Sequence, residues 1–242
     1  MITEDSVLAT LRNEGWNDEE RTYADGHYRR FAFLLSVLAD EFSRVGATPQ
    51  SPATFMDIGP HMITGLVDHY FGDRVHIDTL GWENPRLYDT SHVHRHVQFD
   101  LNDAYEPSAW PEPTEHDVVL MAEVIEHLYT APEQVLPCVR TFVRPGGTLV
   151  IGTPNAVSLP HRLRLVLGTN PYERIRLDRT NPGHFREYTA KELAEVARST
   201  GFQVRSTTFH DFESTSSPVL RAISRAAPTM RRMMTVVLQR DG

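Results

Sequence analysis

The apolar positions of this chain change period several times, and those changes mark out its elements. In HYRRFAFLLSVLADEFSRV, Phe31, Leu34, Leu35, Leu38 and Phe42 recur every three or four residues, the spacing of one helix face. Gly46 and the TPQSP that follows end this stretch. Residues 1–48 therefore read as a helical N-terminal segment ahead of a domain spanning 49–242. Segments that read as strands follow: ATFMDI before a Gly–Pro turn, RVHIDTLGW, HVQFDL, DVVLMA, TLVIGTP, FQVRSTTFH and MMTVVLQR, and Val118 to Met121 form an unbroken apolar run, as in a strand buried on both faces. Between them ITGLVDHYF, PEQVLPCVRTFV and YTAKELAEVARSTGF read as helices. The last is opened by Thr189, with Glu192 three residues on, and closed by Gly201. Repeated strand–helix alternation predicts an α/β fold, a mostly parallel doubly wound sheet with helices on both faces.

From Asn155 to Gly183 the alternation stops, and an interruption of this length inside a domain points to a lid or a substrate-binding lobe at 155–183. Five arginines (Arg162, Arg164, Arg174, Arg176, Arg179) stand there against two acids, which as a bland reading is a solvated face. The whole chain carries a net charge of −8, which argues against nucleic acid as a partner. No apolar run approaches the ~20 residues of a membrane helix, so no membrane partner is expected. The start, MITEDSVLATLRNEG, has no basic-then-apolar leader pattern. The single Cys138 excludes an intramolecular disulfide and a cysteine zinc cluster, and it suits a reducing cytoplasm, the expected location.

The candidate chemistry centres on HDVVLMAEVIEHL. If a helix begins just past this strand, Glu123, Glu126 and His127, at i, i+3 and i+4, project from one face. Two carboxylates and an imidazole at the C-terminal end of a buried strand suit a metal site or an acid–base site, and that end is where open α/β sheets bind ligands. In FMDIGP, Asp57 ends a strand and Gly59 allows close backbone approach to a nucleotide-like ligand. Tyr23, His27 and Tyr28, ahead of the long apolar stretch, can fold over such a ligand or pack into the core. His92, His94 and His96 share one face of a strand and read as a surface triplet.

Taken in order, MDIGP, FDLND, DVVLMAEVIEHL, RPGGTLVIGTPN and GFQV resemble the class I S-adenosylmethionine-dependent methyltransferases. The resemblance implies a Rossmann-like sheet of seven strands with an antiparallel last strand, and S-adenosylmethionine as cofactor. It implies Asp57 and Gly59 at the methionine end, with Pro60 and His61 in a loop that departs from the family's glycine-rich pattern. An acid after the second strand, Glu83 or alternatively Asp78, would hold the ribose beside Trp82. Asp100 and Leu101 would face the adenine, and Ala122 and Glu123 the sulfonium. The E-x-x-E-H set with the later His184 in GHFREYT resembles the metal-dependent O-methyltransferases. That implies a divalent cation, Mg²⁺ or another such as Mn²⁺ or Co²⁺, on Glu123, Glu126, His127 and His184, with His161 the alternative fourth ligand. His127 or His161 is the candidate general base, with Glu123 beside them.

TPNAVSLPHRLRLVLGTNPYE resembles bacterial methyltransferases that tailor saccharides. The implied activity is O-methylation of a saccharide hydroxyl, for example in a mannoside precursor of a methylated polysaccharide. The arginines could instead recognise a phosphate or carboxylate on the acceptor. Two rivals stand beside this reading: a metal-independent methyltransferase of small molecules or carboxylates, and a cofactor-binding member of the fold without turnover. The expected partner is a small-molecule acceptor, with a homodimer the assembly allowed for.

Overall fold

Three helices begin where the sequence supplies a reciprocal side-chain cap. Thr3 caps α1 (Glu4–Asn13) with Ser6, Asn17 caps α2 (Asp18–Arg44) with Glu20, and Thr189 caps α6 (Ala190–Ser199) with Glu192. The other helices are α3 (Met62–Phe71), α4 (Pro132–Arg140), which starts on a proline, and α5 (Leu159–Val166). The computed structural model describes residues 2–82, 92–178, 182–212, 222, 223 and 225–242. The strands are β1 (Ala53–Ile58), β2 (Val75–Gly81), β3 (Val93–Gln98), β4 (His116–Ala122), β5 (Val143–Pro154), β6 (Phe202–His210) and β7 (Met233–Arg240). They form one seven-stranded sheet in the order β3-β2-β1-β4-β5-β7-β6. β1, β2 and β3 pair in parallel, and β7 runs antiparallel to both β5 and β6, as the resemblance implied.

The chain divides into two compact units, Met1–Gln98 with His116–Val118, and Phe99–Glu115 with Val119–Gly242. In the first, the periodic face of α2 is the buried one: Phe31, Leu34, Leu35, Leu38 and Phe42 are all at most 3% exposed. Phe42 meets Phe71 and Phe55 edge-on at centroid distances of 4.9 and 5.7 Å, which joins α2 to α3 and β1. In the second unit Val119, Leu120 and Met121 of β4 are wholly buried, as are Val135, Leu136 and Val139 of α4. Cys138 is buried with them and free, and burial pushes its thiol up to about 12, so it is a core residue and no nucleophile.

The helix expected to start at Glu123 does not form. Glu123 takes a left-handed φ of 57° and its N–H still donates to the Gly152 carbonyl of β5 at 2.8 Å, so a helical turn cannot begin there. A single 3₁₀ turn, Ile125–His127, follows. The third strand also stops at Gln98, short of the predicted Leu101, because Asp100 caps a 3₁₀ turn over Leu101–Tyr105. β5 already begins at Val143, ahead of RPGG, with Gly146 at φ 74°.

The cap on α6 can be tested directly. Thr189→Ala removes the acceptor of the Glu192 N–H and should cost about 1 kcal/mol in urea denaturation, whereas Thr189→Ser should cost a few tenths at most.

Candidate active site

In the second unit the site is organised by Glu126, which is fully buried. Its Oε2 accepts from the Thr153 hydroxyl of β5 at 2.9 Å, and its backbone carbonyl accepts from the N–H groups of Phe185 and Arg186 at 2.8 and 3.3 Å. This clamp draws the segment after Gly183 across the 3₁₀ turn. His127 Nδ1 lies 3.0 Å from the Gly183 carbonyl, which can only accept, so Nδ1 carries the proton and Nε2 the lone pair. His184 lies edge-on to His127 at 4.8 Å, and its own Nδ1 is 3.2 Å from Glu187 Oε1. One donor atom each from Glu126, His127 and His184 falls within a 4.8 Å span. Glu123 is outside that trio, although its charge helps to favour protonated His184.

Glu187 was not singled out in the sequence, although it stands three residues after His184 in the quoted GHFREYT. It is almost buried, and its second oxygen lies 3.5 Å from His161 Nδ1, so one carboxylate spans both histidines. His161 Nδ1 is also 3.2 Å from the Ala156 carbonyl, and Tyr172 donates its hydroxyl to the same carbonyl at 3.1 Å. The hydrogen bond to Glu187 is the main cause that raises the pKa of His184. Burial lowers that of His127, against the opposing pull of the Gly183 carbonyl. Burial pushes Glu173 upward, but the His184 N–H and the Arg176 guanidinium together outweigh it and hold the carboxyl below its ordinary value.

The first unit holds the loop assigned to the methionine end. Gly59 has φ 75° and donates to the Leu80 carbonyl at 2.8 Å. Gly81, at φ 148°, lies so close that a Cβ there would sit 3.3 Å from Pro60 Cδ and 3.5 Å from the Gly59 nitrogen. Only glycine allows both conformation and approach. Gly81 was missed because its requirement comes from the loop after β1, distant in sequence. Asp57 is 1% exposed and accepts from Thr64 Oγ1 at 2.6 Å; burial raises its pKa to about 7, opposed by that bond. His61 occupies the N-cap of α3, where the loop departs from glycine, and its N–H donates to Thr64 Oγ1. Tyr23 of α2 lies 4.8 Å from the His61 ring and 4.2 Å from His27, and accepts from Arg30 at 2.8 Å. Burial first, and then the Arg30 charge, lower both histidines to about 4. Tyr23 and His27 thus cover the loop, while Tyr28 is held by Arg29.

Of the two candidates for the ribose, Asp78 lies within β2, three residues before its end, with its carboxylate 3.0 Å from His116 Nε2. Glu83 lies outside the described residues; Trp82 beside it is 58% exposed. In the second unit Asp100 accepts from the Asn102 N–H, Leu101 is buried and Ala122 ends β4. The histidine triplet has a mundane account. His94 Nδ1 accepts from the Ile77 N–H and its Nε2 faces His76, while His96 Nδ1 meets the Thr79 hydroxyl.

Residues 27–207 match the sequence model of a family described as a methyltransferase domain, and the chain belongs to that family. Over 91 residues it is 36% identical to a protein of Mycolicibacterium smegmatis described as a "probable S-adenosylmethionine-dependent methyltransferase". That stretch covers 38% of this chain and 30% of the relative, so the chain spans under a third of the relative's length. The fold resembles that of the N-methyltransferase NodS from Bradyrhizobium japonicum, solved with S-adenosylhomocysteine. The TM-score is 0.57 at 12% identity, with 98% of this chain and 99% of that one covered. It also resembles the 1,6-didemethyltoxoflavin-N1-methyltransferase of Burkholderia thailandensis, with a TM-score of 0.56, 12% identity and 99% and 87% coverage.

Two outcomes follow from this geometry. Glu123→Gly and Glu123→Ala remove the same side chain, but only glycine is at ease at φ 57°; by thermal denaturation the glycine variant should be the more stable by about 1 kcal/mol. Asp57 has a folded pKa near 7 against an ordinary value of 3.8, so its contribution to stability is full below pH 4 and is lost as pH rises through 7. Asp57→Asn should remove that slope, on the order of 4 kcal/mol across the interval, from a pH series of denaturation midpoints.

Proposed function

We propose that this chain is an S-adenosylmethionine-dependent O-methyltransferase in which Glu126, His127 and His184 hold a divalent cation. The observation that carries this is the state of the two imidazoles. Both have Nδ1 engaged, by the Gly183 carbonyl and by Glu187, which leaves each Nε2 lone pair available, and one potential ligand atom of each ring lies within 4.8 Å of a buried carboxylate oxygen. Metal-binding histidines usually have their outer nitrogen held in this way. Thr153 orients the carboxylate, and the amides of Phe185 and Arg186 fix the turn that carries it. Two nitrogens and one carboxylate favour Mn²⁺, Co²⁺ or Zn²⁺ over Mg²⁺. When bound, such a cation supplies Lewis acidity that lowers the pKa of an acceptor hydroxyl.

The cofactor would bring the methyl group. Asp57 and Gly59, with the Pro60–His61 loop, are assigned to its methionine end, Glu83 to the ribose, Asp100 and Leu101 to the adenine, and Ala122 with Glu123 to the sulfonium. Asp78 is the weaker ribose candidate because His116 engages it. The acceptor we assign is a saccharide hydroxyl, since a cation gripping two neighbouring oxygens suits a sugar diol. Fold neighbours named as N-methyltransferases leave the acceptor atom to the site, and the site's imidazole–carboxylate set favours oxygen.

A second reading rests on Glu187. Its carboxylate spans His161 and His184, an arrangement that orients an imidazole general base without any metal. Methyl transfer from labelled S-adenosylmethionine to a saccharide panel, with and without chelator, separates the two. On the metal reading chelator and Glu126→Ala each lower turnover at least about a hundredfold, and Mn²⁺ or Co²⁺ restores only the former. Undiminished turnover in chelator by a variant that still binds S-adenosylhomocysteine in calorimetry would remove the cation and leave the histidine base.

A further inference from the structure

The lobe after β5 has a feature that the catalytic reading does not use. No residue of α5 is buried, and the run continues exposed beyond it. Leu163, Leu165, Val166 and Leu167 are 46%, 55%, 84% and 79% exposed, and Ile175 and Leu177 are 63% and 101% exposed. Large apolar side chains gathered in this way on one short segment mark an interaction surface, whereas scattered ones do not. Arg162, Arg164, Arg174 and Arg176 are interleaved with them. Arg162 and Arg164 donate to the Val157 and Pro171 carbonyls, contacts that fix the side chains without cancelling their charge. The acids nearby are few, and Glu173 is already paired with Arg176. A chain with net charge −8 thus presents a cationic, apolar segment here.

We infer that α5 and the segment to Leu177 dock on an anionic lipid surface. A helix too short to span a bilayer can lie in its interface, with leucines and valine below the headgroups and arginines reaching the phosphates. The sequence did not anticipate this, because a search for membrane contact by hydropathy looks for a spanning run, and no helix among the described residues is long and apolar enough to cross. The inference stands apart from the metal: it needs only the lobe. Its link to catalysis is His161, which sits on α5 and faces inward to Glu187, so the element that docks also carries that histidine.

Vesicle co-sedimentation tests it with the full chain. Wild type should sediment with vesicles containing roughly a third phosphatidylglycerol and remain in the supernatant with phosphatidylcholine alone. Val166→Asp combined with Leu167→Asp changes two side chains that are almost wholly in solvent, so the melting temperature should be unchanged while anionic-vesicle binding weakens at least about tenfold. Failure of wild type to sediment would overturn the proposal, as would equal binding by the double variant. A dimer in analytical ultracentrifugation that the double variant converts to monomer, without vesicle binding by either, would assign the face to a second copy of the chain instead.

Discussion

A fully buried carboxylate must be hydrogen-bonded or neutralised, and the way Glu126 meets that requirement shapes the second unit. The Thr153 hydroxyl comes from β5 to bond it, so the turn after β4 is tied to the neighbouring strand by a side chain. The carbonyl of the same residue takes the amides of Phe185 and Arg186, so the chain returning from the lobe is tied to it by backbone. His184 then falls beside His127 by geometry, although the two are distant in sequence. Glu123 makes the turn possible by taking a left-handed conformation that few non-glycine residues adopt, a local strain of the kind that collects at functional sites.

Asp57 in the first unit meets a similar burial in another way. It too has one hydroxyl partner, Thr64, yet burial dominates and raises its pKa to about 7. The same dry environment, with Arg30 adding its charge, keeps His27 and His61 neutral, so the loop of the first unit is lined by uncharged rings under Tyr23. Glycine is confined there to the two places that need it. Gly59 and Gly81 let two backbones approach, while His61, where the family resemblance would have placed another glycine, caps α3 instead.

The lobe reverses the pattern of the rest of the chain. Among the described residues outside it leucine and valine are mostly inside; between α5 and Leu177 they are largely outside and interleaved with arginine. Its inner side belongs to the candidate site, through His161 and Tyr172. Its outer side carries the exposed apolar groups on which the proposed lipid docking rests, since such groups gain from leaving water.

Periodicity was enough for the elements and the sheet. The α2 face, the fully apolar β4 run and the α6 capping box are statements about neighbours in sequence, and the local physics that sets them is the same in the string and in the fold. The trio of Glu126, His127 and His184 was half legible. E-x-x-E-H lies in one stretch, but no helix carries it, because Glu123 takes a left-handed φ of 57° while its N–H still donates to the Gly152 carbonyl. Glu187 and Gly81 were illegible, since the first matters by joining its neighbour His184 to the distant His161 and the second through the backbone of the loop that follows β1. The sequence by itself determined which segments are strand or helix and which residues could act as ligands. Only the tertiary structure decided which of those residues meet, because long-range contact depends on how buried polar groups find their partners, and that is not encoded in spacing.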